Sequence, residues 1–79
     1  MSAPFVERPS ICLRLTRSAS DVLAARGARV VPDPALVHAQ VGDHIQLEGE
    51  GLPLQVARRT WRMETGGPVL ELLLDWPAR

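Results

Sequence analysis

The chain has 79 residues, with nine basic against nine acidic side chains, 46% hydrophobic and 23% charged residues. That length is one small domain, that apolar content belongs to a folded chain, and zero net charge gives no global field to gather polyanions. No apolar run is long enough to span a bilayer and the start lacks the charged and apolar segments of a signal peptide, so a cytoplasmic protein without a membrane partner is expected.

All the basic residues are arginine and none is lysine, a usage that fits a GC-rich bacterial genome. Residues 1–9 carry Pro4 and Pro9 and little periodicity, so they are expected to form a flexible N-terminal arm, with a single small domain over residues 10–79. Ile11, Leu13 and Leu15 then alternate with Cys12, Arg14 and Thr16, the period of a half-buried strand.

Ser18-Ala19-Ser20-Asp21 has the form of a capping box, which predicts a short helix through Arg26 with Gly27 as its left-handed cap. Residues 28–31 read as a further short strand. Pro32-Asp33-Pro34 places Asp33 as an N-cap and Pro34 at a first helical position, opening a single turn over residues 35–38. Val41-Gly42-Asp43 then reads as a turn.

The stretch 41–76 organises the rest. Ile45 and Leu47 alternate with polar neighbours over residues 44–48, and two glycines within residues 49–51 supply a hairpin turn. A second strand is expected over residues 54–63, where Leu54 and Val56 share one parity and Trp61 and Met63 the other. That change of face predicts a β-bulge at Arg58 and Arg59. After the turn 64–68, a third strand over residues 69–76 sets Leu70, Leu72, Leu74 and Trp76 on one face and Val69, Glu71, Leu73 and Asp75 on the other. The expected fold is α+β and mainly β: five short strands, mostly antiparallel, in a small sheet or partly closed β-barrel that ends in a three-stranded meander, with one short helix over the apolar face. The succession of a Gly-Asp turn, short strand, glycine turn and two strands is common to many small β-barrels and names no family.

Chemistry-bearing residues are sparse. Cys12 cannot form an internal disulfide, and no local motif marks it as a nucleophile with His38 or His44. His38 and His44 with Asp43 lack the close spacing of metal ligands. No carboxylate dyad and no phosphate-binding glycine loop is present, so catalytic residues, metal and cofactor are all read as none. Arg58, Arg59, Trp61 and Arg62 form the most suggestive cluster, since arginine for phosphates and tryptophan for stacking make the working face of several single-strand nucleic-acid binders. Alternation divides them between two faces, and Glu48, Glu71 and Asp75 on neighbouring strands are suited to neutralise them.

A domain of this size buries only about 60–65% of its unfolded surface, a thin margin that association would widen. Leu73, set between two acids on the second face, and Trp76, at the end of the last strand, are therefore candidate oligomer contacts. The expected function is a non-enzymatic binding or structural module acting through protein contacts, with itself as a homodimer or with another protein. The alternative is a nucleic-acid-binding barrel that uses the arginine and tryptophan strand.

Overall fold

The computed structural model describes residues 10–46 and 53–78. The expected N-terminal arm 1–9, the glycine turn 49–51 and the end of the strand expected over residues 44–48 lie outside the described residues. In chain order the elements are strand β1 (Ser10–Leu15), helix α1 (Arg17–Arg26), a short 3-10 helix (Pro34–His38), and strands β2 (His44–Gln46), β3 (Pro53–Glu64) and β4 (Gly67–Asp75). The four strands form one mixed sheet in the order β1-β4-β3-β2, curved into a half-barrel. The meander read from the sequence is present as β2-β3-β4, antiparallel throughout. β1 joins it on the β4 side, and that pairing is parallel.

β4 is thus an inner strand with neighbours on both sides, and its sequence suits the position. Leu70, Leu72 and Leu74 are fully buried at 0% exposure, each removing a side chain from water for about 1.5–3 kcal/mol. The parallel register sets Ile11, Leu13 and Leu15 beside these three leucines. From the other side come Leu54 and Val56 of β3, also buried. α1 covers the same face with Ala19 and Leu23, and Ile45, Leu36, Val37 and Trp76 pack around the cluster.

The register of β3 shifts between Val56 and Arg58, leaving Ala57 as the extra residue, one position before the arginine pair. This bulge explains the change of parity. Val56 stands opposite Leu74 before it, and Arg59 and Trp61 stand opposite Leu72 and Leu70 after it, so even residues before the bulge and odd residues after it share the α1 face.

Two local expectations need correction. The helix starts earlier than the Ser18 capping box implies: Thr16 is the N-cap, its hydroxyl accepting from the Ala19 amide at 3.2 Å. Thr16 wins the position because its other groups are already engaged by the sheet. Its amide donates to the Leu74 carbonyl at 2.9 Å and its hydroxyl donates to Asp75 Oδ1 at 2.6 Å. Gly27 closes the helix in the left-handed region with φ 65, as the sequence implies.

The second correction concerns residues 28–31, which form no strand. Their burial does alternate, with Ala28 and Val30 against the core and Arg29 and Val31 exposed. They lie over the core face of the sheet instead of beside an edge, so the apolar period appears without ladder partners. Among the described residues there are therefore four strands, not five. The 3-10 helix is capped by Asp33, whose carboxylate accepts from the Ala35 amide at 2.8 Å, with Pro34 at its start.

Two substitutions test this account by urea denaturation. Leu72→Ala leaves a cavity between β1, β3 and α1 and is expected to cost about 2–5 kcal/mol. Thr16→Val keeps the shape but removes the cap and the Asp75 contact, for a loss of about 1–2 kcal/mol, while Thr16→Ser restores most of it.

Candidate interaction surface

β3 outruns β2. Only Pro53, Leu54 and Gln55 pair with β2, and Val56 exchanges backbone bonds with Gly42 and Asp43 just beyond. From Ala57 to Glu64 the strand is paired on its β4 side alone among the described residues. The cluster Arg58, Arg59, Trp61 and Arg62 falls on this free length. The bulge precedes all four residues, so it does not reunite them, and alternation leaves Arg59 and Trp61 on the α1 face and Arg58 and Arg62 on the other.

On the α1 face, Arg59 is a brace. Its Nε and Nη2 donate to the carbonyls of Ala39 and Val37 at 2.9 and 3.0 Å, satisfying acceptors where the 3-10 helix ends. Its guanidinium also lies 5.6 Å from the centre of the Trp61 ring, within cation–π range. Trp61 remains 42% exposed and Met63, next on the same face, 80% exposed. Both project past the region that α1 and the 3-10 helix cover.

The opposite face has no covering layer among the described residues and carries a ladder of alternating charge. Arg14 on β1 donates to Glu71 on β4 at 3.0 Å; Glu71 stands 3.7 Å from Arg62 Nε on β3, and Arg62 reaches Glu64 at 3.4 Å. Of the three acids expected to balance the arginines, Glu71 does so, Asp75 holds Thr16, and Glu48 lies outside the described residues. Arg62 Nε is buried without a hydrogen bond, which leaves the Glu71 attraction as its compensation. Arg58 is exposed and enters no ion pair among the described residues.

The two proposed oligomer contacts separate. Leu73 sits half-buried on the charged face, opposite Arg58 and Arg14. Trp76 packs against the core cluster. Cys12 lies beside Glu71 on the charged face, whereas His44 is on β2 at the far edge of the sheet, three strands across and level with Asp75, four residues further along β4. The thiol–imidazole pair of Cys12 and His44 is therefore not assembled. Among the described residues no group of three or more His, Cys, Asp or Glu side chains is placed to hold a metal, and no helix is long and apolar enough to cross a membrane.

Compared with known family models, curated proteins and solved structures, the chain matches none of them. The surface is therefore read from its own residues. Met63 and Glu64 complete it and were not singled out by sequence reasoning. Their signal was present in the parity after the bulge, which puts Met63 beside Trp61 and Glu64 beside Arg62.

Arg58 and Arg59, adjacent in sequence, are expected to behave differently in denaturant. Arg59→Ala removes the brace on two carbonyls and should cost about 1–3 kcal/mol. Arg58→Ala removes a solvated side chain and should change stability by no more than about 0.5 kcal/mol.

Proposed function

We propose that this protein is a non-enzymatic binding module that works through protein contacts and associates with itself. The observation that carries this reading is the free length of β3, where Trp61 and Met63 stand exposed on a strand whose outer edge has no partner among the described residues. Tryptophan and methionine are enriched where protein surfaces meet, and an unpaired strand edge supplies backbone groups for a further strand. The small core adds to the argument, because association would bury apolar area that the domain cannot bury alone.

A second reading, binding of single-stranded nucleic acid, has one feature in its favour: Arg59 lies against Trp61 in an arrangement suited to a stacked base. Several observations weigh against it. Arg59 is engaged with two carbonyls, and Arg14 and Arg62 are ion-paired with Glu71 and Glu64.

Light scattering over a wide range of protein concentration tests the first reading. A mass rising from one chain towards two supports it, and a single-chain mass throughout overturns self-association. Anisotropy of labelled single-stranded and duplex oligonucleotides at two salt concentrations tests the second. Binding that weakens steeply with salt, and is lost in Arg58→Ala and Arg62→Ala, would displace the protein-contact reading.

A further inference from the structure

Backbone polarity along β3 can be worked out from its neighbours. The Leu74 carbonyl accepts from Thr16, so the even residues of β4 turn their backbone groups towards β1. The odd ones, Val69, Glu71 and Leu73, then bond to β3 through their register partners Arg62, Thr60 and Arg58. What remains for the free edge is the N–H and C=O of Arg59, Trp61 and Met63. The sequence around Trp61 is nearly balanced about that residue: three positions before it stands Arg58 and three after it Glu64.

We propose that the free edge of β3 pairs antiparallel with the same edge of a second copy of this chain, with Trp61 on the two-fold axis. This deepens the reading of a self-associating module and rests on it. Centring on Trp61 opposes Trp61 to its own copy and Arg59 to Met63, all residues whose backbone groups face outward. Each Arg58 then stands opposite the other copy's Glu64. Arg58, exposed and without an ion pair among the described residues, thereby receives an acid, and the ladder Arg14-Glu71-Arg62-Glu64 continues across the axis with its alternation of sign intact.

Neighbouring registers are worse. Centring on Thr60 sets Arg58 against Arg62, and centring on Arg62 sets that residue against itself; like charges directly opposite are destabilising. A two-fold arrangement also needs one patch that is complementary to itself, which the Trp61-centred register supplies.

The test uses charge reversal and mixing. Arg58→Glu alone places two acid pairs across the axis and Glu64→Arg alone places two arginine pairs, so each is expected to weaken dimerisation by about tenfold or more. Mixed in equal amounts, the two variants form complementary pairs at both contacts and should recover association as a heterodimer, seen by native mass spectrometry. Both sites are exposed, and circular dichroism checks that each variant is folded. Arg58→Gln, which removes attraction without adding repulsion, should fall between. A wild-type dimer that the reversals leave intact, or that mixing does not restore, overturns this register while the self-associating reading stands. A wild-type protein that stays a single chain at every concentration overturns both.

Discussion

Everything in this fold depends on β4 being an inner strand. A nine-residue element with three fully buried leucines on one face must have a neighbour on each side and a layer above. β3 satisfies one side through a hairpin, a contact local in sequence. β1 satisfies the other from the far end of the chain, and because the next strand, β2, lies at the opposite edge of the sheet, a long connection from β1 to β2 must cross the core face. That connection carries α1, the extended residues 28–31 and the 3-10 helix. It is the covering layer the leucines require, so topology and core burial are one constraint met by the same residues. Thr16 sits where the two meet, with its amide on β4, its hydroxyl on Asp75 and its carbonyl accepting from the Ser20 amide inside α1.

Covering the core face with this connection leaves the other face with charge as its means of order. The ladder on that face is made of half-exposed or exposed side chains, each pair of which contributes little in water. Its value lies in arrangement: a sheet whose charged face alternates in sign resists sliding of its strands, because a one-residue slip of β3 against β4 would bring the Leu73 row opposite Arg59 and move Trp61 off Leu70. Arg59 gives the complementary restraint on the core side by tying β3 to the end of the 3-10 helix.

How much of this was legible in the sequence differs by element. The meander was, because alternation in residues 69–76 is clean and glycines mark the turn, and the change of parity between Val56 and Trp61 located the bulge to within one residue. The parallel placement of β1 was not, since a strand of period two does not record the direction of its neighbour. The helix start was missed for a related reason. Ser18 and Asp21 satisfy a local capping rule, but Thr16 is selected by Leu74 and Asp75, which lie 58 and 59 residues away in the chain. Residues 28–31 show the reverse case, in which a correct apolar period belongs to a segment without strand partners. For the candidate surface, the division of Arg58 and Arg62 from Arg59 and Trp61 followed from alternation alone, whereas the free edge of β3 followed only from the shortness of its pairing with β2.

An unpaired strand edge is a hazard that stable proteins restrain with charge and bulges, and β3 has both: Ala57 at the start of its free length and Arg58, Arg59 and Arg62 along it. Restraint and recognition need not conflict. Bulge and charge exclude strands of arbitrary sequence, since an incoming edge must supply an acid for Arg58 and an apolar surface for Trp61 and Met63. On the proposed pairing, they admit an edge that supplies these in register. A charged edge of this composition is thus a selective surface, and the features that keep it from pairing at random are the same ones that would specify a partner.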